Sequence, residues 1–212
     1  MRSLAAVALV LVLGGCGSSV VDQPSLVPSA SPRANDPCAA IPTIDPDNPP
    51  DTLGLTGDPT LEAEFPAEID DETVTDVSSA RWIETLCDMG GPASVDAAAR
   101  NLPSGLDQSA MSVGSAAATV DGKPITIVAF RLPGQRGDEL LGVVGDLSAA
   151  IFPDAPRFTT ALTATTAGSK SVSRWTNPAD GTDSYLYASG DTLWTVDSID
   201  QSQADKIFAA LP

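Results

Sequence analysis

Two stretches of the chain repeat apolar residues at the spacing of an amphipathic helix. They run from Asp138 to Ile151 and from Gln201 to Leu211, with apolar residues three or four positions apart, which places those residues on one helical face. The first face holds Leu140, Leu141, Val144, Leu147, Ala150 and Ile151, and the second holds Ala204, Ile207, Phe208 and Leu211. The pattern predicts two helices, each packed against a sheet.

Upstream, a third helical pattern ends at Gly90-Gly91, just after Asp88. Ser78 or Ser79 is a suitable residue to cap its start, and paired glycines are a common helix stop. The residues expected to face inward are Trp82, Ile83, Leu86 and Cys87. A short fourth helix is predicted from Ser94 to Asn101.

Two tight hairpins are predicted between runs rich in β-branched and aromatic residues. Asp121-Gly122 and Gly190-Asp191 supply the positive-φ residues that a two-residue turn requires. The second turn is centred either on Gly190-Asp191 or on Ser189-Gly190. In both registers one side of the hairpin holds Tyr185, Tyr187, Trp194 and Val196, which are expected to form one cluster. Lys170 to Thr176 is predicted as a further strand, ended by the turn residues Asn177 to Gly181.

These elements predict an α+β fold, with an antiparallel sheet and helices on one face, in a single domain spanning residues 61–212. Aligning Gly122 with Gly190 places one hairpin and its following helix over the other. This alignment suggests two pseudo-repeated hairpin-helix units, residues 65–151 and 158–212. The alternative is two unrelated α+β halves.

The N-terminus has a different pattern. Arg2 precedes an apolar run from Leu4 to Leu13 that is about half the ~20 residues needed to span a bilayer. Small residues, Gly14-Gly15, then lead into Cys16, which is typical of a signal peptide rather than a transmembrane helix. The alternative is an ordinary signal peptide with an incidental cysteine nearby.

Leu13-Gly14-Gly15-Cys16 resembles the lipobox of bacterial lipoproteins. The resemblance implies that residues 1–15 are removed and that Cys16 becomes the first residue, carrying acyl chains such as palmitate. Two or three such chains give stable membrane anchoring. The chain is then expected outside the cytoplasm, in the cell envelope. Gly17 carries no cue that selects the inner or the outer membrane.

Residues 16–60 are rich in Pro, Ser and Asp and are interpreted as a stalk with too few apolar side chains to fold alone. With Cys16 assigned to lipid, Cys38 and Cys87 remain in a compartment where thiols oxidise. A disulfide between them is predicted. The alternative is two free, buried thiols.

The chain carries a formal net charge of −17. Most of the imbalance lies in residues 36–88, where Arg81 is the only base. Such a surface disfavours nucleic acid and direct docking on anionic lipid headgroups as partners. The membrane is therefore expected to be reached through the lipid anchor. The oligomeric state is left open.

The chain contains no histidine, which excludes Ser-His-Asp and Cys-His catalysis and His-ligated zinc. No catalytic residue is predicted, and no cofactor other than calcium is considered. Asp45, Asp47 and Asp51 are weak calcium candidates because their oxygens are closely spaced, although the glycine and final glutamate of an EF-hand loop are absent. Asp70-Asp71-Glu72 supplies carboxylates for a hydrolase that uses acids alone.

Three tryptophans, Trp82, Trp175 and Trp194, lie in apolar periodic runs and are expected to pack in or at the edge of the core rather than face a ligand. The segments Tyr185–Trp194 and Ala209–Pro212 resemble the C-terminal part of cell-envelope lipoproteins of unknown function from high-GC bacteria, over roughly the C-terminal half of the chain. That family implies no activity.

Three functions therefore remain. The first is a membrane-anchored, non-enzymatic module that binds an envelope protein or a small ligand through a sheet face left uncovered by helices. The second is a calcium-dependent structural protein of the envelope. The third is a carboxylate-only hydrolase, which requires two converging acids with raised pKa values.

Overall fold

The structure is a computed structural model that describes residues 38–39, 57–101, 107–151, 162–178 and 180–212. Its main element is a seven-stranded antiparallel sheet with the order β3-β4-β5-β9-β8-β7-β6. The strands are β3 (Thr75–Arg81), β4 (Ser112–Val120), β5 (Lys123–Arg131), β6 (Thr163–Ala167), β7 (Lys170–Thr176), β8 (Asp183–Ser189) and β9 (Thr192–Val196). A separate small hairpin pairs β1 (Glu68–Ile69) with β2 (Glu72–Thr73).

Four α-helices and a short 3-10 helix, Gln108–Ala110, accompany the strands in the described ranges. The α-helices are α1 (Pro59–Glu62), α2 (Trp82–Asn101), α3 (Gly137–Ile151) and α4 (Gln201–Ala210). The α+β class and the antiparallel sheet are confirmed. The predicted helix boundaries of α3 and α4 agree with the observed ones to within one residue at each end.

The helices lie on both faces of the sheet, which corrects the expectation that they lie on one. Along β5, Ile127 and Ala129 pack with α4 and α1, whereas Val128 and Phe130 pack with α2 and α3. Alternate residues of a strand point to opposite faces, so β5 is buried on both sides. We call the first side the α4 face and the second the α3 face.

Among the described residues, the larger core lies on the α4 face. Its buried residues include Leu61, Phe65, Ile127, Tyr185, Trp194, Val196, Ala204, Ile207, Phe208 and Leu211. Phe65 meets Trp194 edge-on, with ring centroids 5.0 Å apart, a favoured aromatic geometry. The four apolar residues predicted for the α4 helix are all buried here.

The hairpin registers resolve the alternative left open by the sequence. Ser189 pairs with Thr192, so the second turn is centred on Gly190-Asp191. Tyr187 faces Trp194 and Tyr185 faces Val196 across the strands. The predicted aromatic cluster is thereby confirmed.

The pseudo-repeat is not confirmed. The first turn is Asp121-Gly122 and the second is Gly190-Asp191, which shifts the hairpins by one residue from the alignment of Gly122 with Gly190. One residue reverses the face of every side chain in a strand. The helices that follow the two hairpins, α3 and α4, pack on opposite faces.

The third and fourth predicted helices form the two halves of α2, which breaks at Gly91 with a positive φ of 64° and continues from Pro92. The break at the paired glycines was predicted. The capping role of Ser78 and Ser79 was wrong, because both lie in β3 and pair with Ser115 and Gly114 of β4. Local sequence could not show that these serines extend an edge strand.

Candidate functional site

The sequence-predicted site residues divide into two groups. Cys16 and the calcium candidates Asp45, Asp47 and Asp51 lie outside the described residues. The other predicted site residues, Cys38 and Cys87, are described.

Cys38 and Cys87, 49 positions apart in sequence, form the predicted disulfide, with their Cα atoms 5.6 Å apart. Cys87 lies in the first half of α2, and both cysteines pack, half-buried, against the core of the α3 face. The disulfide therefore attaches the N-terminal part of the chain to the α3 side of the sheet.

A cluster of charged groups surrounds Arg131, at the end of β5. Its Nε atom lies 3.2 Å from Asp191 Oδ1 and 3.9 Å from Glu64 Oε1, and its Nη1 atom lies 3.2 Å from Asp58 Oδ2. The Arg131 side chain is only 17% exposed. We call Arg131, Asp58, Glu64 and Asp191 the Arg131 cluster.

Asp58 links the Arg131 cluster to α1. Its carboxylate caps α1 by accepting hydrogen bonds from the backbone N–H groups of Thr60 and Leu61, each 3.1 Å long. Burial opposes ionisation of Asp58, but hydrogen bonds from Leu61, Ser112 and Arg131 outweigh it and lower its pKa. Asp58 is therefore held as a carboxylate that fixes the start of the domain to the sheet.

Hydroxyl groups complete the surroundings of the Arg131 cluster. Thr192 donates to Glu64 Oε2 at 2.9 Å, and Ser79 donates to Glu62 Oε1 at 2.7 Å while accepting from Asp58 N. Arg131 is thus surrounded by acids, of which Asp58 and Glu64 also accept hydrogen bonds from other groups. Ion pairing and helix capping account for this geometry, which joins α1, β3, β5 and β9. Sequence reasoning missed the cluster because its partners are distant in the chain.

A second ionic contact joins the β1–β2 hairpin and the turn between β4 and β5 to α4. Lys206 Nζ lies 2.5 Å from Asp70 Oδ2 and 2.6 Å from Asp121 Oδ1. The two carboxylates raise the pKa of Lys206 through hydrogen bonding. Asp70, one of the acids considered for hydrolysis, is therefore paired with a lysine, while Asp71 and Glu72 are exposed.

One carboxyl in the described ranges has a raised pKa. Asp197, just after β9, is half-buried. Burial raises its pKa, and a hydrogen bond with Ser184 lowers it by a smaller amount. Its alternation with Leu193 places it on the α3 face.

The outer strands β6 and β7 provide the sheet surface farthest from β5. On the α3 face this surface presents small side chains together with Trp175, because Ser173 pairs with Leu186 and Trp175 with Ser184. Its members are Ala164, Thr166, Ser171, Ser173 and Trp175. We call it the β6–β7 surface. Ala164, Thr166 and Ser171 are exposed, and Trp175 is half-buried.

The other two tryptophans belong to the core, as predicted. Trp194 is fully buried on the α4 face, and Trp82 is buried on the α3 face, where it meets Phe130 edge-on at 5.8 Å. Both bury an indole N–H that makes no hydrogen bond. Trp175, in contrast, is only partly buried against the core of the α3 face.

Within the described ranges, no three Cys, Asp or Glu side chains are grouped so that they could hold a metal ion. Across the same residues, no helix combines the length and the apolar character needed to cross a membrane. A comparison of the whole chain with protein-family models, curated proteins and solved structures finds no match.

Proposed function

We propose that the chain is the precursor of a lipoprotein that is anchored through acylated Cys16 and displays a non-enzymatic binding domain outside the cytoplasm. The observation that carries the proposal is the sequence Leu13-Gly14-Gly15-Cys16 after a short apolar run. The disulfide bond between the other two cysteines, Cys38 and Cys87, supports the proposal. Disulfides persist in oxidising compartments outside the cytoplasm.

The ionic contacts of the domain disfavour a hydrolase that uses carboxylates alone. In the described ranges, Asp58, Glu64 and Asp191 neutralise Arg131, and Asp70 pairs with Lys206. A hydrolase that uses carboxylates alone needs a second acid close to one with a raised pKa. Asp197 has a raised pKa, and its side chain forms a hydrogen bond with the hydroxyl of Ser184.

The β6–β7 surface is the proposed binding region. Helix α3 packs on β5, β8 and β9, and the strands beyond them expose Ala164, Thr166 and Ser171 beside half-buried Trp175. An aromatic ring flanked by small hydroxyl side chains offers apolar contact and hydrogen bonds together, a combination common in binding sites.

A photo-crosslinking amino acid placed at Ser171 of the full-length, membrane-anchored protein tests this region. The matched control carries the same amino acid at Ser202, an exposed serine of α4 on the other face. The proposal expects a discrete crosslinked adduct from Ser171 and little or none from Ser202. Equal adducts from both positions, or none from Ser171, would contradict binding at the β6–β7 surface.

A further inference from the structure

We draw no further inference here: the strongest candidate, the outer edge of strand β6, whose Thr166 carbonyl accepts a hydrogen bond from Gln201 of α4, carries nothing because nothing in the described part of the chain shows what covers the rest of that edge.

Discussion

Asp58 and Arg131 lie 73 positions apart in the chain, and the carboxylate of one accepts a hydrogen bond from the guanidinium of the other at 3.2 Å. The same carboxylate caps α1. One side chain thus joins the first described helix of the domain to the end of a central strand. Removing the Asp58 carboxylate should therefore lower the free energy of unfolding of the whole domain.

Asp58→Ala is expected to lower the free energy of unfolding by about 2 to 3 kcal/mol, because it removes a helix cap worth about 1 kcal/mol and leaves a half-buried guanidinium short of a partner. Asp58→Asn keeps the cap and should cost about half as much. Urea unfolding measures both. Asp107→Ala is the control, since Asp107 also accepts from a backbone N–H, at Ser109, but is exposed. A control that loses as much stability as Asp58→Ala would refute the role of the Arg131 cluster.

Asp197→Asn should raise the free energy of unfolding relative to the wild type, and the gain should be larger at pH 7 than at acid pH. The pKa of Asp197 is raised in the folded state by burial. A group of this kind favours folding below its unfolded pKa, and the benefit disappears as pH rises through the folded pKa. The variant is free of that loss and keeps an oxygen for Ser184. Denaturant unfolding at several pH values should show its advantage over the wild type growing between pH 4 and 7, and a constant difference would contradict the assignment.

Gly168→Ala should destabilise the domain far more than Gly190→Ala. Both glycines lie in two-residue turns with positive φ, 54° and 57°. An alanine at either position would therefore carry a similar backbone strain. A Cβ at Gly168 would collide with the backbone of Ala209 and Asp205 in α4, whereas a Cβ at Gly190 meets nothing within 4 Å. Overpacking typically costs 1 to about 3 kcal/mol. Equal losses in urea unfolding would show that the turn does not press against α4.

Reduction of the disulfide should lower the free energy of unfolding by about 3 to 4 kcal/mol, because the bridge joins cysteines 49 positions apart and so closes a long loop in the unfolded chain. Thermal unfolding of the protein with and without reductant measures the change. The Cys38→Ser/Cys87→Ser variant, which should not respond to reductant, is the control. A wild-type melting temperature that reductant leaves unchanged would contradict this contribution.

The same unfolding assay tests the calcium alternative. A calcium site at Asp45, Asp47 and Asp51 predicts a melting temperature that rises with millimolar calcium and falls with chelator, since a ligand that binds only the folded state stabilises it by mass action. The proposed binding module predicts no shift. A calcium shift that disappears when the three aspartates are changed to asparagine would favour the structural calcium protein instead.

Local signals in the sequence were sufficient for the hairpins and for α4. The sequence predicted the second hairpin but left its turn centred on Gly190-Asp191 or on Ser189-Gly190, and the strand pairing places it on Gly190-Asp191. Asp200 with Gln203 forms the capping box that begins α4. Helices on both faces were not predicted, although the nearly continuous apolar run from Ile125 to Phe130 is typical of a strand buried on two sides.

The Arg131 cluster could not be predicted in the same way. Arg131 meets Asp58 and Asp191, which lie 73 and 60 positions away. A single charged residue at the end of an apolar strand does not indicate which of 28 acids will face it. The disulfide was predictable because only two cysteines remained once Cys16 was assigned to lipid.

The most direct test of the central claim is the mass of the mature N-terminal peptide, isolated from membranes of a bacterium that expresses the full chain. The account predicts a peptide that begins at Cys16 and carries diacylglycerol with its acyl chains, and a Cys16→Ala variant that is neither cleaved there nor acylated. A mature protein that begins at another residue, with an unmodified Cys16 or none, would contradict the account.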